Sequence, residues 1–258
     1  KINKMLIDTH THLYLEQFDE DRAAMMQRAI DKGVERMLLP GIDSSHIASM
    51  LELEKAFPKN CFAMMGLHPC SVKEDYANEL KIVEHYLQNR NYIAVGEIGL
   101  DYYWDKTFIE EQKYAFKLQM EWAKKYKLPI SIHCRESMDD AIELVEGAKT
   151  VDLNGVFHCF GGTLEQAKRI IDMGFYLGIG GVLTYKKSGL DQVLKHIDLQ
   201  HIVLETDAPY LSPVPFRGKR NESAYISDIA QKLAEIKGVN INEVARITSE
   251  NAVKVFNL

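Results

Sequence analysis

Eight short apolar runs recur along the chain, at residues 6–8, 36–40, 62–66, 93–97, 129–133, 155–158, 175–179 and 202–205. Each is too short for a helix and bounded by turn residues, so each reads as a buried strand. Segments with helical periodicity lie between them. One spans 21–32 and stops at Gly33; another spans 45–57 and stops at Pro58. Thr107-Phe108-Ile109-Glu110 and Thr163-Leu164-Glu165-Gln166 both read as capping boxes, opening helices that end before Pro129 and at Gly174. The last two helices are expected at 224–237 and 242–256. Parallel strands need a crossover, usually a helix, so this alternation predicts an α/β protein with a parallel sheet and helices outside. A count of eight predicts closure into a (β/α)8 TIM barrel, with a doubly wound open sheet as the alternative. No repeat or linker breaks the pattern, and one domain over residues 1–258 is expected.

Composition narrows the function classes. No apolar run approaches the ~20 residues of a membrane helix, and no leader pattern is read at the start. Met5 is expected to be the biological start, with residues 1–4 not native. A net charge of −6 argues against a general grip on duplex DNA but leaves room for a site handling one strand end. The four cysteines, Cys61, Cys70, Cys134 and Cys159, have no C-x-x-C spacing, which fits a reduced, cytoplasmic protein. Cys134 and Cys159 each follow a histidine of interest, and strand alternation turns them towards the core.

The chemistry gathers where these runs stop. Leu6-Ile7-Asp8-Thr9-His10-Thr11-His12 carries two imidazoles at i and i+2, which project to one side of extended backbone. Imidazole is the commonest grip on zinc-like divalent ions. Val95-Gly96-Glu97-Ile98-Gly99-Leu100-Asp101 places Glu97 at the end of a strand, with glycines that let other groups approach; Asp101 reads as a supporting group or a turn residue. Ile132-His133-Cys134-Arg135 and Phe157-His158-Cys159 each put one histidine at a strand end. Arg135 shares the side of His133, and its planar fork suits phosphate. Glu205-Thr206-Asp207 sets two carboxylates at i and i+2. Asp207 is placed to bind metal and take a proton, and Glu205, deeper, to orient a ligating histidine. Four histidines and two carboxylates exceed what one tetrahedral ion takes, and suit two adjacent divalent ions sharing a carboxylate.

As an ordered set over essentially the whole chain, these segments resemble the TatD-type metal-dependent deoxyribonucleases of the amidohydrolase-like barrels. Gly66-Leu67-His68-Pro69, Phe157-His158-Cys159-Phe160-Gly161-Gly162 and Glu205-Thr206-Asp207-Ala208-Pro209-Tyr210-Leu211, running on to Arg217-Gly218-Lys219-Arg220-Asn221, carry the likeness as well. The resemblance implies that His10, His12 and Asp207 hold one ion, His133 and His158 the other, with Glu97 bridging. One departure is Ser223, where the family usually has proline after its Arg-Asn-Glu. Many amidohydrolase relatives bridge with a carbamylated lysine, so Glu97 leans towards this family.

The resulting expectation is two-metal hydrolysis of phosphodiester bonds, trimming single-stranded nucleic acid from an end, with Zn, Mn or Mg bound. Asp207 would act as base and Arg135 as a clamp on the phosphoryl charge. The resemblance points to DNA; RNA would look the same. Amide or ester hydrolysis, aminoacyl-tRNA esters included, and a non-catalytic metal-bearing barrel are the alternatives. His68, held extended by Pro69, is a candidate substrate contact, as is Arg217 in the basic loop 217–220. Tyr102-Tyr103-Trp104 could stack on bases or pack in a loop. Gly178-Ile179-Gly180-Gly181 reads as a tight barrel loop. A monomer is expected.

Overall fold

Each of the eight runs overlaps a strand in the computed structural model, which describes residues 5–258. The segment read as non-native, residues 1–4, lies outside the described residues. The strands are β1 (Leu6–Asp8), β2 (Val34–Leu39), β3 (Cys61–Ala63), β4 (Val95–Asp101), β5 (Ile130–Arg135), β6 (Gly155–Phe157), β7 (Tyr176–Ile179) and β8 (Ile202–Leu204). Helices alternate with them: α1 (Arg22–Asp31), α2 (Ile47–Ala56), α3 (Tyr76–Asn89), α4 (Ile109–Tyr126), α5 (Met138–Ala148), α6 (Leu164–Asp172), α7 (Leu190–Leu194), α8 (Ile226–Lys237) and α9 (Ile241–Phe256).

All strand pairs are parallel, in sequence order, as β1-β2-β3 and β4-β5-β6-β7-β8. Two seams close the ring. Thr9 donates its amide to Leu204 O at 3.0 Å, joining β1 to β8, while a Met65–Val95 bridge and the Gly96 amide on Met65 O (3.1 Å) join β3 to β4. A doubly wound open sheet would have two free edges; closure makes this a (β/α)8 barrel.

Side-chain alternation sorts the strands into two faces. Ile7, Leu38, Met64, Ala94, Val156 and Val203 cluster with Ala252, Val255 and Phe256 of α9. They form the apolar filling near the N-terminal end of the barrel. Their strand neighbours Leu6, Met37, Leu39, Ile130, Ile132, Phe157, Leu177, Ile202 and Leu204 join the larger cluster shared with the helices.

Three local expectations need correction. Glu97 does not end its strand: β4 runs on to Asp101, and the register slips between Val95 and Ile98. Val95 and Ile98 oppose Ile130 and Ile132, so β4 carries one extra residue there, a bulge that re-aims Glu97. The capping box at Thr163 forms, but the one at Thr107 does not. Asp105 Oδ1 takes the Thr107 amide at 2.9 Å, and α4 starts after Phe108 with no side-chain cap. Finally, Gly178 and Ile179 belong to β7 rather than to a loop. A Cβ on Gly178 would lie 2.3 Å from Glu205 Oε2, so a glycine here lets that carboxylate sit against the strand.

Candidate active site

The C-terminal mouth of the barrel gathers His10, His12, His68, Glu97, His133, His158 and Asp207, supplied by the bulged part of β4, by the ends of β1, β3, β5, β6 and β8 and by the turns that follow them. Glu97 is the hub. Its Oε2 lies 3.1 Å from His10 Nε2 and 3.4 Å from His12 Nε2. Its Oε1 lies 2.9 Å from His133 Nδ1, 2.9 Å from His158 Nε2 and 3.2 Å from His68 Nε2. Each oxygen thus faces its own set of imidazoles. Asp207 Oδ1 completes the first side, 3.9 Å from His10 Nε2 and 3.7 Å from His12 Nε2.

A buried carboxylate without positive charge beside it is costly. Glu97 is only 2% exposed. Burial would raise its pKa, but His68, His10 and His158 outweigh burial and hold it well below the ordinary carboxylate range. His10 moves the other way: burial and the neighbouring His158, stacked at 3.7 Å between ring centroids, push it down towards the neutral form. Burial also pushes Asp207 up, to about 6, against the pull of His158 and His12.

Whether these histidines suit a metal depends on what backs their outer nitrogens. Tyr14 donates its hydroxyl proton to Pro40 O, so at 2.9 Å it accepts from His12 Nδ1 and leaves the Nε2 lone pair facing the mouth. His133 Nε2 lies 2.8 Å from Asp101 Oδ2, leaving Nδ1 for the site. His158 Nδ1 rests on Glu205 Oε1 at 3.3 Å, and His10 Nδ1 on Ser131 Oγ at 3.1 Å. His68 is the opposite case. The Cys70 amide donates to its Nδ1 at 3.0 Å, so Nε2 carries the proton and points a donor, not a lone pair, into the mouth. Ligands sharing an ion at ~2.0–2.1 Å stand about 3.0–3.4 Å apart. The contacts of Glu97 with His10, His12, His133 and His158 lie at or just below that spacing, and the residues fit divalent metal.

Backbone geometry supports this arrangement. Asp207 has φ 57° and Cys159 φ 48°, left-handed conformations in non-glycine residues just beyond site strands. The Asp207 amide holds His10 O at 2.9 Å, and its carboxylate accepts no hydrogen bond among the described residues, so it is free towards the cavity. Because of its turn, Cys159 does not follow strand alternation into the core. It instead gives its amide to Glu205 Oε1 at 2.6 Å, which fixes the carboxylate behind His158. Below His10, buried Asp8 accepts from Thr206 N (2.9 Å), Thr206 Oγ1 (2.6 Å) and Ser223 Oγ (2.6 Å). Ser223, the departure from the family pattern, therefore puts a hydroxyl on this carboxylate that proline could not supply.

A cavity of about 590 Å³ opens above the cluster and is lined also by Arg135, Asp101, Trp104 and Tyr210. Arg135 therefore stands where the sequence places it. Arg217 does not: it lies over Tyr185 at 4.3 Å, beside Lys186 and Lys187, in a separate cavity. Its loop neighbour Arg220 is committed to Asp21 at 2.7 and 2.9 Å. Tyr14 and Ser131 escape the sequence reading, although each sits two residues from a site histidine (His12 and His133), the alternation that could have signalled them.

The chain is similar to several known proteins. A family model described as TatD related DNase matches residues 7–257. The uncharacterized metal-dependent hydrolase YabD of Bacillus subtilis is 38% identical over 257 residues, covering 98% of this chain and 100% of that protein. The 3'-5' ssDNA/RNA exonuclease TatD of Pantoea ananatis is 31% identical over 259 residues, covering 98% and 100%. Among solved structures, the TatD homologue YJJV of Escherichia coli superposes with a TM-score of 0.92 at 30% identity, covering 98% of each chain.

Proposed function

The chain belongs to the family of TatD-related DNases and is a metal-dependent hydrolase, and from that premise we propose that it cleaves phosphodiester bonds in single-stranded nucleic acid, removing nucleotides from an end, with two divalent ions bound. The division of Glu97 carries the two-ion reading: Oε2 faces His10 and His12 beside Asp207, and Oε1 faces His133 and His158. An imidazole-rich set of this kind suits Zn or Fe better than Mg. Ions held there supply Lewis acidity to a phosphoryl oxygen and lower the pKa of water.

The protein's own groups do the rest. Asp207, whose carboxylate accepts no hydrogen bond among the described residues, is placed to accept the proton of an attacking water. His68, oriented by the Cys70 amide, directs its Nε2–H at Glu97 Oε1 (3.2 Å) from the cavity wall, where a substrate oxygen could compete for it. Glu205 and Asp101 keep His158 and His133 from rotating. Arg135 offers a guanidinium with no ion pair among the described residues at the cavity wall, suited to a phosphate. The likeness to a protein named as a 3'-5' ssDNA/RNA exonuclease favours nucleic acid over small esters or amides.

The test strips the protein of metal, restores Zn, Mn or Mg, and follows an end-labelled single-stranded oligonucleotide beside small esters and amides. Stepwise shortening, with two ions per chain by elemental analysis and loss of at least about 100-fold in turnover for Glu97→Gln, is the expected result. Hydrolysis of esters or amides with the oligonucleotide left intact under every metal would overturn it.

A further inference from the structure

We propose that Tyr103 and Trp104, with Arg135 laid across them, form a stacking ledge for an unpaired nucleobase at the substrate end; this rests on the nucleic-acid reading above. Trp104 is 68% exposed and Tyr103 48%, although large aromatic rings usually bury most of their surface. The two rings meet edge to face at 4.9 Å, and much of each stays open to solvent. The Arg135 guanidinium stands 3.9 Å from the Tyr103 centroid and 5.0 Å from that of Trp104, within cation–π range. Among the described residues it makes no ion pair and donates no side-chain hydrogen bond, which leaves its fork available to a phosphate.

The ledge is tied to the reaction centre through one carboxylate. Asp101 Oδ1 accepts the amides of Tyr103 and Trp104 at 3.0 and 3.1 Å, while Oδ2 contacts His133 Nε2 at 2.8 Å. The Asp101 backbone is itself clamped by Gln112 of α4, at 2.8 and 3.1 Å. The rings and a candidate metal ligand are thus held in one frame. Across the mouth, the turn after β8 sets Tyr210, 49% exposed, against the same cavity. β4 and β8 stand four strands apart in a ring of eight, so Trp104 and Tyr210 rise from opposite walls. A base laid on Trp104 would leave its phosphate between Arg135 and the histidines. Bases inside a duplex have no free face to offer, so the ledge selects unpaired ends, whatever the base.

The experiment compares two single-stranded oligonucleotides that differ only in whether the terminal nucleotide is abasic, using the metal-loaded enzyme. The base-bearing end is expected to show a KM lower by about 5- to 150-fold, the range for one stacked base. In Trp104→Leu the two KM values converge, and Trp104→Phe, which keeps a flat face, restores the gap. Of the two tryptophans, Trp122 is only 5% exposed, so emission quenched by a hydrolysis-resistant phosphorothioate oligonucleotide reports Trp104 and is lost in Trp104→Phe. Equal KM values in the wild type, or quenching that survives in Trp104→Phe, would overturn the ledge and leave the nuclease reading standing. Cleavage of neither oligonucleotide overturns both.

Discussion

The two mouths of the barrel are built from the same strands and treat their inward-facing positions in opposite ways. Near the N-terminal end, Ile7, Ala94, Val156 and Val203 meet α9 in a dry layer. A few residues further along the same strands and the turns beyond them stand His10, Glu97, His158 and Glu205, all no more than 4% exposed and all able to carry charge. The lower layer gains its free energy from removing apolar surface from water. The upper one is held by hydrogen bonds and opposed charge that tolerate burial only because nearly every group has a partner, Glu205 Oε2 being a buried exception among the described residues. One end is shaped for stability and the other for chemistry, which predicts that they can be damaged separately.

The largest effect is expected at the dry end. Phe256→Ala removes a ring that is 2% exposed and should cost about 3–5 kcal/mol in urea denaturation, while turnover per folded molecule stays at the wild-type level. A matching fall in kcat would mean that the two ends are coupled. Tyr14→Phe at the polar end should act in reverse. It deletes the acceptor behind His12 Nδ1 and should weaken metal affinity about 10- to 100-fold by competition with a chelator, at little cost to packing. Unchanged affinity would show that His12 needs no such support.

The effect that is smallest over any single step lies in pH. Burial pushes Asp8 up to about 7, against the lowering by Ser223 and Thr206. The folded, metal-free protein then keeps a proton that the unfolded chain releases near pH 4, so through this group stability falls as pH rises from about 4 to about 7. Asp8→Asn should flatten that part of the stability curve, by up to about 1.4 kcal/mol per pH unit. Identical slopes in wild type and variant would place the Asp8 carboxyl among ordinary, ionised ones.

Legibility in the sequence followed the range of the interaction. His10 and His12 were readable because strand periodicity alone puts i and i+2 on one side, and His133 and His158 because each ends an apolar run. The Thr163 capping box is local and formed; the Thr107 box, equally local on paper, lost its amide to Asp105. Arg217 was misplaced because its position depends on a loop, where no periodicity operates, and on the Tyr185 ring, thirty-two residues upstream.

By itself the sequence determined the alternation of strand and helix, the closure expected of eight strands, and which residues could bind metal, since all of these follow from short-range pattern and side-chain type. Only the tertiary structure decided that Glu97 divides its oxygens between two sets of imidazoles and that the Cys70 amide takes up His68 Nδ1, leaving its Nε2 as a donor. Those outcomes rest on a one-residue bulge in β4 and on contacts such as Tyr14 with Pro40 and Glu205 with Cys159. Hydrogen-bond polarity across such distances is set by which groups packing brings together, and chain-local pattern does not encode it.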